Sequence, residues 1–299
     1  MKLGSEVRGR EIVVNNTRYG GLSVSVAILT WNRSEYVLRA LESVYRQTYK
    51  PLEVVVVDSA SNDGTLERIK ARFPNVKLIR LYRNMGCPEG RNIAMANCQG
   101  DIIFSLDDDA FLEKDVLELC MNEFAENEKV GVVACTISST SDMASKIRLD
   151  HSCKQFSGGA CALRKKALEV AGYYPSDFFR QAEEGDLRLR LMESGYEILA
   201  CPPAVVYHAS APINRDQRLF LFYSVRNELY IVFRRYPWIL VIPGVLYKML
   251  VWNIAGVRKR AFMYTMLGTF AAFLQVPRLL HERKAVSLDT IRNIRPLKA

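Results

Sequence analysis

Two hydrophobic rhythms alternate along the first half of this 299-residue chain. Short, mainly apolar runs occur at Val24–Leu29, Leu52–Val57, Val76–Leu81, Ile102–Leu106 and Val130–Thr136. Each has the length and β-branched content of a strand. Leu52–Val57 is apolar at nearly every position, as expected of a parallel strand covered on both faces. Between the runs, apolar residues recur every three to four positions. Val37, Leu38, Leu41, Val44 and Tyr45 mark one face of a helix over 34–47. Further helices are predicted over 65–73, over a short stretch that ends at Asn97 after a loop at 84–92, and over 114–127. Four such alternations predict a doubly wound, mostly parallel α/β sheet.

The pattern lapses from Ile137 to Phe156 and resumes as an apolar segment at Ser157-Gly158-Gly159-Ala160. Helices follow over 165–171 and 183–194, stopped by Gly172 and Gly195. Residues 198–200 and 205–207 read as two short strands, the second ended by His208. Three segments result: a polar tail (1–21), the α/β domain (22–214) and a C-terminal helical extension (215–299).

The extension changes character. Trp238–Gly256 is an apolar run of about 19 residues, enough in principle to span a bilayer. Pro243, Gly244, Lys248 and Asn253 interrupt it, and Ala261–Val276 is shorter. A spanning helix would place Lys248 near the apolar centre, at about 2.5–3.5 kcal/mol. Charge adds to this picture. From Arg226 onward thirteen Lys/Arg face three Asp/Glu, more than the net +9 of the whole chain. Helices lying on an anionic membrane surface are therefore expected. The alternative is helices packed on the core or in a homodimer interface. Bases interleaved with long apolar stretches argue against nucleic acid as the partner. The seven cysteines are odd in number and form no C-x-x-C pair, which suits a reducing compartment better than a disulfide framework. The first residues hold no apolar signal-peptide core. The expected location is the cytoplasmic face of the inner (plasma) membrane, peripheral or monotopic.

Candidate chemistry centres on Gly100–Leu112, where Asp107-Asp108-Asp109 follows a short apolar run. In an extended backbone Asp107 and Asp109 point the same way and can hold a hard divalent cation. Ligands of open α/β sheets sit at this end of the strands. An acidic loop capping the next helix is the plain alternative. If the triplet faces solvent, Asp109→Asn should leave stability almost unchanged.

In order along the chain stand VSVAILTWNR, EVVVVDSASNDGT, NMGCPEGRNIAMANCQGDIIFSLDDDAFL, FSGGACALRKKALEVAGYY, AEEGDLRLRLMESGYEI and VVYHAS. Together, over about residues 22–235, they resemble a family-2-type inverting glycosyltransferase of GT-A fold, closest to bacterial rhamnosyltransferase-like members. The resemblance implies a Rossmann-like, mostly parallel sheet. It implies transfer of a sugar from a nucleoside-diphosphate donor, UDP- or dTDP-type, to a glycan or lipid-linked hydroxyl in surface polysaccharide synthesis. Asp107 and Asp109 match the D-x-D pair for Mg²⁺ or Mn²⁺, and His208 resembles the late histidine that joins them. Asp108 would orient the pair or touch the sugar. Asp58 resembles the base-reading aspartate, while Asp63 in the same turn suits a helix cap. Thr30, Arg33, Gly86, Gly90 and Arg91 resemble the donor cradle, and Gly158 and Gly159 would give the sugar close backbone access. Glu184 falls at the place of the general base, with Glu183 the alternative. Asp186 would be structural or contact the acceptor. A membrane-recruited nucleotide-sugar-binding module without turnover is the second reading.

Overall fold

The structure, a computed structural model, describes residues 21–139, 154–209 and 216–294. The tail as far as residue 20, most of the irregular connection after Ile137 and the boundary near residue 215 lie outside them. The order is β1 (Val24–Thr30), α1 (Ser34–Tyr45), β2 (Glu53–Asp58), α2 (Thr65–Arg72), β3 (Lys77–Arg80), α3 (Cys87–Ala96), β4 (Ile102–Asp107) and β5 (Ala110–Leu112). Then come α4 (Val116–Glu126), β6 (Val130–Ser139), β7 (Ala160–Arg164), α5 (Lys165–Ala171), a 3₁₀ turn (Ser176–Phe178), α6 (Glu183–Glu193) and β8 (Glu197–His208). Five helices follow: α7 (Gln217–Arg235), α8 (Trp238–Arg258), α9 (Phe262–Leu274), α10 (Val276–His281) and α11 (Leu288–Asn293).

The strands form one sheet ordered β3-β2-β1-β4-β7-β6-β8-β5. From β3 to β4 all neighbours are parallel, as are β6 and β8. β7 is antiparallel to both β4 and β6, and β5 is antiparallel to β8. The mainly apolar runs of β1, β2 and β4 are explained by cover on both faces. Val26, Ile28, Val56 and Phe104 join the cluster that packs α1 and α4. Ala27, Val55, Val57 and Ile103 belong to the opposite cluster with α3, α5 and α6 residues. The alternation is the period of two that side chains follow along a strand.

Expectations change in three places. The loop expected over 84–92 is helical from Cys87 onward, as the start of α3. The strands expected at 198–200 and 205–207 are one strand, β8, continuous through Pro202-Pro203. The register with β6 slips there, pairing Cys135 with Cys201 and Thr136 with Val205. A bulge tolerates prolines, which have no N–H to give the ladder. β5 is new; three residues are too few for a periodicity signal.

The C-terminal helices pack on the α/β unit. The face of α7 carrying Val225, Leu229 and Val232 is buried with Phe178 and Leu189. α11 returns to α6, where Ser287 and Thr290 hydroxyls donate to Glu193 at 2.9 and 2.6 Å. Lys248 pairs with Glu228 of α7 at 2.7 Å. Its ammonium therefore faces Glu228, and the cost of a bare ammonium at the apolar centre of a span does not apply to it. α8 alone among the described helices has the length and composition to cross a membrane.

Candidate active site

The carboxyl ends of β1, β2 and β4 meet at one edge, where Thr30 is level with Asp58 and Leu29 with Asp107. Crevices at such edges are the usual ligand sites of open α/β sheets. The acidic triplet leaves β4 in a tight turn, and the chain then re-enters the sheet as β5. Ala110 pairs with His208 at the end of β8, which carries the imidazole to the turn. His208 Nε2 lies 3.2 Å from Asp109 Oδ1 and 3.6 Å from Asp107 Oδ2. Asp107, Asp109 and His208 can each offer a ligand atom, all within 4.8 Å of one another. Two carboxylates and an imidazole form a donor set that could hold a divalent cation. The convergence comes from the turn and the β5–β8 pairing, not from an extended backbone.

Only Asp107 of the triplet is partly exposed. Asp108 and Asp109 are buried, and Asp108 is fully engaged. Thr30 Oγ1 donates to it at 2.9 Å and Arg33 at 2.8 Å, while Arg33 also lies 3.3 Å from Asp109. Thr30 and Arg33, expected in the donor cradle, thus brace the turn. Burial, only partly offset by Arg33, pushes the Asp108 carboxyl up to about 6. For Asp107 burial acts the same way, but the Arg91 guanidinium and the His208 hydrogen bond outweigh it. They hold that carboxyl well below the usual carboxylate range.

Arg91 joins the two acidic groups of the site. It projects from α3 and donates to Asp107 Oδ1 at 2.6 Å and Glu183 Oε1 at 3.0 Å. Glu184 Oε1 is 4.0 Å away and accepts from the Gly158 N–H at 2.9 Å. Both acids lie in the first turn of α6, where the helix dipole favours them. Their surroundings differ. The Glu183 side chain is 4% exposed and its Oε2 has no hydrogen-bond partner among the described residues, whereas Glu184 is 27% exposed. Burial and the Glu184 carboxylate beside it push Glu183 above the usual range.

The glycines answer to protein atoms. A Cβ at Gly159 would overlap the Asp107 carboxylate, and one at Gly158 would crowd Arg91 and Glu184. Gly86, with φ +87°, lets the start of α3 lie against the Phe179 carbonyl. Gly90 makes room for Leu29.

Asp58 is fully buried at the end of β2, and both its oxygens face the Ser61 N–H at 3.2–3.3 Å. Asp63 caps twice, accepting from the backbone N–H of Ser34 at 3.2 Å and of Thr65 at 3.1 Å. Asp186 is fully buried between Arg190 at 2.7 Å and Arg235 at 2.6 Å.

Three residues escaped the sequence reading. Ser105 donates to the Gly158 carbonyl beneath Asp107. The Tyr174 hydroxyl is buried near Gly158 with no hydrogen-bond partner among the described residues. Asn227 stands fully buried in α7 and donates to three carbonyls just before α6. It sits between Arg226 and Glu228, so the sequence gives no sign that its amide is buried.

The sheet, its carboxyl-edge acids and the curled second half define the GT-A class of nucleotide-binding folds. The family described as glycosyl transferase family 2 matches residues 25–180, and the chain belongs to it. Chondroitin synthase from Escherichia coli is 36% identical over 115 residues, 38% of this chain and 17% of that protein. Chondroitin synthase from Pasteurella multocida is 28% identical over 183 residues, 58% of this chain and 19% of that protein. The chain thus spans under a fifth of these relatives. Among solved structures, Staphylococcus aureus TarS 1-349 in complex with UDP-GlcNAc superposes with a TM-score of 0.64 at 16% identity, covering 88% of this chain and 84% of that one. A mannosyltransferase from Pyrobaculum calidifontis, in complex with GDP-Man and Mn²⁺, gives 0.60 at 20% identity, covering 86% and 87%. Such likenesses establish the fold.

Proposed function

We propose that this chain is an inverting, metal-dependent glycosyltransferase. It moves a sugar from a nucleoside-diphosphate donor to a hydroxyl of a lipid-linked or polysaccharide acceptor. The carrying observation is the meeting of Asp107, Asp109 and His208 with Glu183 and Glu184 across Arg91 at the carboxyl end of β4. A divalent cation held by the first three would offset charge on the departing nucleoside diphosphate. Arg91 and Arg33 add fixed positive charge beside the same acids. Glu184 is the base, because its partly exposed carboxylate can reach an acceptor hydroxyl while buried Glu183 pairs with Arg91. Removing that proton as the oxygen attacks the sugar contributes about 10²–10⁴-fold. Asp58 at the end of β2 suits the imide N–H of uracil or thymine, which would take the place of the Ser61 N–H. UDP- and dTDP-sugars are therefore the favoured donors.

The membrane part of the proposal rests on α8 and α9. Ile239, Ile242, Leu246, Phe270 and Leu274 are exposed there, and Arg258-Lys259-Arg260 stands exposed at the turn between the helices. This face suits an anionic lipid surface and an acceptor presented from it.

Titration of the protein with a panel of nucleotide sugars, with and without Mn²⁺, tests the reading. Metal-dependent binding of a UDP- or dTDP-sugar, followed by slow release of free sugar, is expected. Binding without release would favour a module that holds the donor without turnover. No metal-dependent binding of any nucleotide sugar would end the proposal.

A further inference from the structure

The backbone entering α6 is strained in an unusual concentration. Phe179 has φ 60° and ψ −47°, Gln181 has φ 71°, and Ala182 has φ 67°. None is glycine, yet all three occupy the left-handed half of conformational space. At Phe179 the Arg180 N–H donates to the Phe178 carbonyl at 2.7 Å, closing a γ-turn of the rare positive-φ type. Ala182 then gives its carbonyl to the Gly185 N–H at 3.0 Å, opening the helix that carries Glu183 and Glu184. Such strain persists only where surroundings over-determine it, and it concentrates at functional sites.

The surroundings here belong chiefly to α7. The Asn227 amide donates to the carbonyls of Phe178, Arg180 and Gln181 at 3.1, 2.7 and 2.8 Å. Its own oxygen accepts from Arg226 Nε at 2.9 Å. Arg226 in turn donates to the carbonyls of Asp177 and Phe178 at 3.0 and 2.8 Å. The Phe179 ring stacks on Tyr223 and the Phe178 ring meets Tyr230 edge-on. From the opposite side the Cys87 N–H donates to the Phe179 carbonyl at 2.7 Å. Asn227 is fully buried, and its two N–H groups, one of them shared, reach the three carbonyls on either side of Phe179.

We infer that Asn227 is a positioning residue for the acid pair: its amide holds the strained segment Phe179–Ala182 in the shape from which α6 delivers Glu183 and Glu184 to the site. The inference rests on the proposed role of that pair. An extended or αR path through Phe179–Ala182 would rotate and shift the first turn of α6. The Gly158 N–H to Glu184 bond and the Arg91 to Glu183 bond would then be lost together.

Asn227→Leu keeps the volume and removes the donors. In hydrogen–deuterium exchange, amides over 179–187 should exchange at least tenfold faster while those over 102–112 stay unchanged. Unchanged exchange over 179–187, or an equal rise everywhere, would overturn the inference. With whichever of UDP-, dTDP- or GDP-sugars the wild-type protein turns over in Mn²⁺, kcat should fall at least tenfold and nucleotide Kd stay within twofold. Ala182→Gly, which accepts positive φ without a Cβ clash, should restore much of the lost kcat in the Asn227→Leu background. A merely structural asparagine predicts kcat and nucleotide affinity falling together without that rescue, and this result would also overturn it. If Asn227→Leu does not fold, Asn227→Ser, with one short donor, carries the same expectations. Glu183→Gln and Glu184→Gln serve as comparators. Full turnover in both would end the base assignment, while exchange over 179–187 still decides whether Asn227 holds the segment.

Discussion

Asp109 is the residue at which the proposed metal site and the fold meet. It lies 3.2 Å from His208 and 3.3 Å from Arg33 and is almost wholly buried. Asp109→Asn should abolish metal-dependent turnover. It should also lower stability by about 1–3 kcal/mol, because a buried charge-assisted partner is weakened. Denaturant unfolding beside a turnover assay checks both; full activity at saturating Mn²⁺ would remove Asp109 from the metal set. Glu184→Gln should retain donor binding and lose about 10²-fold or more in transfer. A dead Glu183→Gln beside an active Glu184→Gln would move the base by one residue. At this scale the acids were legible, because Asp triplets and paired Glu at a helix start are unusual in sequence. Their neighbours were not. That Gly159 clears Asp107, or that Thr30 and Arg33 are taken up by Asp108, depends on segments far apart in the chain meeting at one turn.

At the scale of elements, α6 is held from behind by ion pairs. Asp186 binds Arg190 of its own helix and Arg235 of α7 with no exposure to solvent. Burial alone would raise its pKa, but the two guanidiniums outweigh it and hold the carboxyl below its ordinary value. The unfolded chain therefore takes up the proton first. The stabilisation is fully present above about pH 4, the unfolded carboxyl's range, and is lost as pH falls through the lower folded value. Asp186→Ala should cost about 3–5 kcal/mol at neutral pH, since it strands buried guanidiniums. The gap to wild type should narrow steadily below pH 4. A pH-independent gap, measured by urea unfolding, would mean that packing rather than charge holds α6 to α7. The strands and helices of the first half were legible because each buries a periodic face. The antiparallel insertion of β7 and the joining of β8 across two prolines were not, since pairing direction and bulges leave no local trace. The strained entry to α6 was equally silent. The apolar pair Phe178-Phe179 reads as ordinary core spacing, and nothing in it marks a positive φ at Phe179, Gln181 or Ala182.

Over the whole molecule, one surface is out of keeping with a protein that meets only water. Ile242, Leu246 and Leu250 of α8 are 73%, 63% and 60% exposed, and Met263, Phe270 and Leu274 of α9 are exposed as well. Apolar patches of this kind mark partner or membrane contact. Val241, Val245 and Gly256 of α8 are instead buried against protein. Lys248 reinforces that contact through Glu228. A spanning α8 would have to leave α7 or drag its ion-paired arginines with it. A helix lying in the lipid interface keeps every one of these contacts. Burying each exposed Ile or Leu in lipid contributes about 1.5–3 kcal/mol. Each base near an anionic surface adds about 1 kcal/mol, which salt screens. Wild-type protein should therefore bind vesicles containing an anionic phospholipid, be loosened only partly by high salt, and be released by detergent. Because α10 and α11 return to α7 and α6, the informative variant is a substitution rather than a truncation. Ile242→Ser, Leu246→Ser and Leu250→Ser combined should abolish vesicle binding while leaving thermal stability and metal-dependent nucleotide binding unchanged. If the wild-type protein binds no vesicle and stays soluble without detergent, the membrane reading fails. A dimer that the triple variant splits would then assign this face to a second copy of the chain.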